Sequence, residues 1–206
     1  MTEHMTANEL RARNLRTLAL LAALFLMPLV TAFFTYYGTG WRPAGRVNHG
    51  RLITPVRPLP AIALPRVRLD AAAGVAAEGV AWRGRWSLVY VGDGGCDAAC
   101  REALYVMRQT RLLLNNDMTR VQRVSLVTAG CCARELLARE HAGLVVLDAA
   151  GPAAQPLVRE FSAADRTRTV FIVDPLGNLI LSYDARGDPH GLLEDLRKLL
   201  RLSHIG

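Results

Sequence analysis

Cys96-Asp97-Ala98-Ala99-Cys100 sets two thiols four residues apart. On a helix that spacing puts both sulfurs on one face. The residues before it, Trp86-Ser-Leu-Val-Tyr-Val91, read as a buried strand closed by Gly92-Asp-Gly-Gly95. Behind it, Leu104, Met107, Leu112 and Leu113 follow a helical period. The pair therefore falls where a strand ends and a helix begins, and free amide groups there favour thiolate over thiol. Two thiolates so placed close a disulfide or hold a soft ion such as Cu(I). Asp97 should oppose thiolate formation and Arg101 should favour it. A plain structural disulfide, or two small buried residues, is the competing reading.

A second pair, Cys131-Cys132, lies between Ala129-Gly130 and Ala133. It supplies either small apolar packing or a second thiol site. Adjacent cysteines bond to each other only with strain, so the expectation is that both are reduced, or that one resolves a disulfide of the first pair. The histidines offer less. His4, His49, His141 and His204 read as exposed structural residues, and His190 is the one that the order of elements brings near the motif. Trp82 and Trp86 read as core and strand-edge residues. No Gly-rich phosphate loop, helical carboxylate pair or Ser/His/Asp arrangement stands out.

The elements that must position these residues form an alternating α/β pattern. A second strand spans Val121 to Thr128, a short helix 131–141, and a minor strand Leu144 to Leu147. A helical turn is expected over Leu157 to Phe161. Thr169–Val173 and Leu179–Tyr183 flank Asp174-Pro-Leu-Gly-Asn178, whose Pro and Gly make a hairpin turn. Asp188-Pro189 opens a last helix as cap and first residue, running to Leu202. The order βαβ followed by ββα is that of a thioredoxin-like core. In such a core the first two strands are parallel neighbours about 4.8 Å apart, so both cysteine pairs should share one rim.

Outside this region the chain reads as membrane-associated. Leu18 to Tyr37 is uncharged over 20 positions, which at about 1.5 Å per residue spans a bilayer core. Phe33, Phe34, Tyr36, Tyr37 and Trp41 gather at its end like an interfacial belt. A cleaved signal peptide competes with an uncleaved anchor, but the 17 residues before the run are long for one. Residues 38–70 carry Pro43, Pro55, Pro58, Pro60 and Pro65 and read as a stiff, extended tether. The expected organisation is thus a cytoplasmic segment 1–17, a transmembrane helix 18–37, a tether 38–70 and a thioredoxin-like domain 71–206. Net charge is +7, but residues 86–206 carry 14 basic and 14 acidic side chains. The excess belongs to the first 85 residues, as in a basic arm near a membrane rather than a nucleic-acid face.

Leu88-Val-Tyr-Val-Gly-Asp-Gly-Gly-Cys-Asp-Ala-Ala-Cys-Arg-Glu-Ala-Leu104 resembles the CxxxC copper segment of Sco/SenC proteins, and Phe171-Ile-Val-Asp-Pro-Leu-Gly177 is similar to their hairpin. The ending, with Asp174-Pro-Leu-Gly-Asn178 and Leu202-Ser-His-Ile-Gly206, also resembles small transmembrane proteins associated with oxidase assembly in proteobacteria. The Sco/SenC resemblance implies a membrane-anchored thioredoxin-like factor of the bacterial inner membrane. It implies a periplasmic domain, with cytochrome c oxidase subunits or other assembly factors as partners. It implies Cys96 and Cys100 as the working pair, possible Cu(I) as the cofactor, and thiol–disulfide exchange as the reaction if the chain is a catalyst. A non-catalytic scaffold with a decayed copper site is the alternative. The departures are specific. Asp97 and Arg101 stand where the family has proline, Arg166 stands where its histidine ligand is expected, and no proline precedes the third core strand.

Overall fold

A computed structural model describes residues 7–38, 47–69, 75–76, 82–161, 166–203 and 205. His4, Trp41, Pro43, His204 and the expected boundary at 70–71 lie outside the described residues. The chain divides into two compact units, Met1–Arg46 and Val47–Gly206.

In the first unit a single helix, α1 (Ala7–Gly38), extends beyond the expected span at both ends. Its stretch Leu10–Gly38 is long and apolar enough to cross a membrane, with mean hydropathy 2.3. Thr31 and Thr35 return their hydroxyl hydrogens to the carbonyls of Met27 and Thr31, which removes a polar cost in an apolar setting. Pro28 sits inside this helix without ending it. The segment has the form of a single-pass membrane anchor.

The second unit is built on an eight-stranded sheet. Its elements in chain order are β1 (Arg51–Pro58), β2 (Arg66–Val67), β3 (Val75–Ala76), β4 (Trp86–Gly92), α2 (Ala98–Leu113), β5 (Val121–Val127), α3 (Arg134–Glu140), β6 (Leu144–Asp148), α4 (Gln155–Glu160), β7 (Thr169–Val173), β8 (Asn178–Asp184) and α5 (Pro189–Leu202). The strand order is β1-β8-β7-β4-β5-β6-β2-β3. β4, β5 and β6 run parallel, while β7 and β8 form the expected antiparallel hairpin beside β4. Side chains of β4 alternate between two layers. Trp86, Leu88 and Tyr90 join the core with Leu104, Met107, Leu192 and Leu196 of α2 and α5. Val89 and Val91 face Leu157 and Val158 of α4, with Trp82, Phe161 and Phe171.

The tether expectation needs correction. Residues 51–58 pair with β8 on one edge of the sheet, and residues 66–67 pair with β6 towards the other. Between them the chain crosses the α4 face. Leu64 is buried, and Ile53, Leu59 and Ile62 pack against the Trp82–Phe161–Phe171 cluster. The six residues of α4 leave much of that face uncovered, and this apolar segment covers it. Prolines do not prevent the pairing, because an edge strand tolerates them. Pro55 lies in the stretch between the paired positions Leu52 and Arg57, where the register shifts.

A buried carboxylate fixes where that segment begins. Asp195 of α5 is 4% exposed. It accepts hydrogen bonds from the amides of His49 at 2.8 Å and Gly50 at 3.0 Å, and a short one from the Tyr183 hydroxyl. Burial, then the Asp195 hydrogen bond, push the Tyr183 hydroxyl well above its ordinary pKa, so it stays a donor. Gly50 lies against the Tyr183 ring with no room for a Cβ. His49 is exposed, as expected, and its Nε2 reaches Glu194 Oε2 at 3.0 Å.

Two further expectations change. The helix expected over 131–141 begins only at Arg134, because the Ala133 amide donates to Gly94 O and holds Cys131 to Ala133 as a loop. His141 is not exposed but buried beside Arg123, and its pKa is lowered, first by burial and then by that cation.

Replacing Asp195 with Ala removes the acceptor of three donors at once. It should cost about 3 kcal/mol in denaturant unfolding and should open residues 47–58 to limited proteolysis. Tyr183→Phe, which removes one donor and leaves the others paired, should cost about 1 kcal/mol. Equal stability of wild type and Asp195→Ala would contradict the anchoring role.

Candidate functional site

β4 ends at Gly92, and the next residues turn the chain into α2. Asp93 Oδ1 accepts the Gly95 amide at 3.0 Å. Gly94 has φ +93°, a conformation that favours glycine. Cys96 also lies in the left-handed region, at φ +47°, where a residue with a Cβ is uncommon. Such backbone persists when the surroundings impose it, and it concentrates at functional sites. α2 then starts on Asp97. Its carboxylate caps the helix by accepting the Cys100 amide at 2.9 Å. The reading of Asp97 as a charge opposing thiolate formation missed this role, although an Asp ahead of a helical run is a recognisable cap.

Cys96 and Cys100 are joined as a disulfide with Cα atoms 4.9 Å apart, within the ordinary range for such a bridge. Both are buried, at 4% and 6% exposure, and both belong to the core between the sheet and α2. Reduced, the Cys100 sulfur would lie in the first turn of α2, where the helix dipole stabilises a thiolate. The bridge thus links the end of a central strand to the start of the main helix.

Cys131 and Cys132 are also joined to each other, which corrects the expectation that they are reduced. Cys131 is exposed and Cys132 half-buried. Their loop follows β5 on the same rim as the Cys96 loop, because β4 and β5 are parallel in register from Trp86↔Val121 to Gly92↔Val127.

Arg166 begins a single helical turn, Arg166–Arg168, that packs against α2 and β4. It is half-buried, and its place in the fold is therefore beside the helix that carries Cys100. His190 is exposed, with Nδ1 3.4 Å from Glu194 Oε1 on its own helix. Among the described residues no group of three or more His, Cys, Asp or Glu converges to hold a metal ion. The described residues do not form a three-ligand copper site.

A groove of about 790 Å³ is lined by Leu113, Asp117, Arg120, Glu194, Arg197 and Arg201. It lies at the C-terminal end of α2, about 20 Å along the helix from Cys100, and is no part of the cysteine site. Trp82 is a core residue, as expected, and Trp86, at the start of β4, is buried in the core as well.

The match to known proteins follows this geometry. The apo Sco1 protein of Thermus thermophilus superposes with TM-score 0.55 at 17% identity, covering 76% of this chain and 99% of its own. Yeast Sco1 gives TM-score 0.57 at 14% identity, covering 70% and 96%. The copper-bound ScoI of Arabidopsis thaliana gives 0.51 at 16%, covering 68% and 98%. At these identities the likeness establishes the fold. No curated protein matches the sequence. The model of the family described as transmembrane-like, thioredoxin-like, C-terminal domain matches residues 86–203, the span that runs from β4 through both cysteine pairs to the end of α5. More than half of the chain is covered by that match, and the chain belongs to this family.

Proposed function

We propose that the chain is a membrane-anchored thiol factor of the bacterial inner membrane, its domain on the periplasmic side, serving assembly of the copper sites of cytochrome c oxidase. The observation that carries this reading is the Cys96–Cys100 bridge at the junction of β4 and α2. Its Cys96 backbone lies in the left-handed region, uncommon for a residue with a Cβ. The likeness to Sco proteins supplies the oxidase context.

The chemistry is dithiol–disulfide exchange. A partner's thiolate attacks one sulfur of the bridge, the other leaves as thiolate, and the partner's second thiolate resolves the mixed disulfide. Two electrons and two protons pass to Cys96 and Cys100, and the partner's pair is oxidised. Copper is cargo rather than a resident group in this account. Two sulfurs remain where the resemblance leads one to expect three ligands, and in sequence Arg166 stands where the third would be. Stable copper retention is therefore not assigned to this chain.

The burial of both sulfurs favours a second reading, a scaffold whose bridge only stiffens the fold. Host cells carrying Cys96→Ser or Cys100→Ser separate the two. The thiol reading predicts loss of most cytochrome c oxidase activity and of its copper content, with normal levels of the variant chain in the membrane. Wild-type oxidase in both variants would contradict it and favour the scaffold.

Orientation has its own test. Alkaline phosphatase fused after Gly206 should be active, and a reporter that works only in the cytoplasm should be silent at the same position. The reverse pattern would overturn the periplasmic placement, and the oxidase reading with it.

A further inference from the structure

The pair read as the redox centre is hidden, and the pair with no assigned role is the accessible one. Exchange requires an incoming thiolate to approach a sulfur along the disulfide axis. Cys96 and Cys100, at 4% and 6% exposure, offer a protein partner little approach. Cys131 is exposed. Cys132 turns inward and packs against the same buried cluster that contains Cys96 and Cys100.

The two loops touch through their backbones. The Ala133 amide donates to Gly94 O at 3.1 Å, and the Thr128 amide donates to Gly92 O at 2.8 Å. A Cβ on Gly94 would stand 2.8 Å from Gly130 O and 3.2 Å from Ala129 O. One residue separates Gly94 from Cys96, and none separates Gly130 from Cys131. Glycine at 94 thus permits a close approach of the two cysteine loops.

We propose that Cys131 and Cys132 form the entry port through which a protein dithiol of thioredoxin type reduces the buried Cys96–Cys100 bridge. This rests on the reading of Cys96 and Cys100 as a redox pair, and it adds the route. The partner's thiolate attacks Cys131 Sγ, the Cys131–Cys132 bond breaks, and Cys132 leaves as thiolate. The partner's second thiolate then attacks its own half of the mixed disulfide and releases Cys131, so the partner departs oxidised. The Cys132 thiolate attacks Cys96 Sγ, and Cys100 leaves as thiolate in the first turn of α2, where the helix N-terminus stabilises it. Cys131 then attacks Cys132, which restores the outer bridge and releases Cys96. The net change moves two electrons and two protons from the partner to Cys96 and Cys100. The outer pair ends as it began.

The test uses the full chain in detergent, reduced thioredoxin as the probe, and alkylation with mass mapping as the readout. In the wild type Cys96 and Cys100 should become alkylated. In the Cys131→Ala, Cys132→Ala double variant the rate should fall at least tenfold, with circular dichroism unchanged. A second chain, Cys100→Ser with Cys131→Ser, keeps one sulfur of each pair and should form a Cys96–Cys132 disulfide on mild oxidation. An unchanged rate in the first variant overturns the proposal. So does the persistence of Cys96 and Cys132 as free thiols in the folded second variant. A wild-type Cys96–Cys100 bridge that resists both thioredoxin and dithiothreitol would instead overturn the redox reading on which the route rests.

Discussion

The parallel pairing of β4 with β5 is the constraint from which the rest of the site follows. Seven consecutive residues of each strand are in register, so both chains leave the sheet at the same rim. Whatever follows β4 and whatever follows β5 must share that rim, and here the first cysteine of a pair comes four residues after each strand. The rim has room for both loops only if one lacks a side chain at the crossing point, and Gly94 meets that requirement. The same pairing sets the start of α2, because the Cys96 loop has a few residues in which to reverse direction before Asp97 caps the helix. The left-handed backbone at Cys96 is where that reversal is completed.

Much of this was legible in the sequence. β4, β5, the β7–β8 hairpin and α5 carry strong local signals: an unbroken apolar strand, a Pro-Leu-Gly turn and an Asp-Pro helix start. Their boundaries fall within a residue or two of the expected ones. Asp174 shows why the turn signal was dependable. Its carboxylate accepts from the amides of Leu176 and Asn178 and from the Asn178 side chain, so the turn is closed by its own residues. The Cys96 motif was likewise visible, since a strand end, a glycine cluster and a helix start are all local features.

What the sequence concealed depends on non-local packing. Residues 51–67 carry prolines that mask an apolar series, Leu52, Ile53, Leu59, Ile62, Leu64 and Val67. Of these, Ile53, Leu59, Ile62 and Leu64 have meaning only once the α4 face is known to be short of cover. Likewise, Asp195 looks like one more polar residue on an amphipathic helix until Tyr183 and the amides of His49 and Gly50 arrive from two other elements. His141 reads as a surface residue after a short helix, yet the β5 residue Arg123, whose guanidinium donates to Ala142 O at 2.6 Å, closes over that corner. In each case the deciding partner is distant in sequence, and no periodicity marks it.

The proposed thiol chemistry rests on the arrangement of the sulfurs. A carrier needs donors that converge; here two bridges lie side by side on one rim, one hidden and one exposed, with no third ligand set among the described residues. The central claim is that the hidden bridge opens reversibly while the fold stays intact. An equilibrium redox titration of the full chain, with Cys96 and Cys100 read by alkylation and mass, tests it most directly. The account predicts a single reversible two-electron transition, with far-ultraviolet circular dichroism constant across it. A bridge that stays closed until the protein unfolds would contradict it.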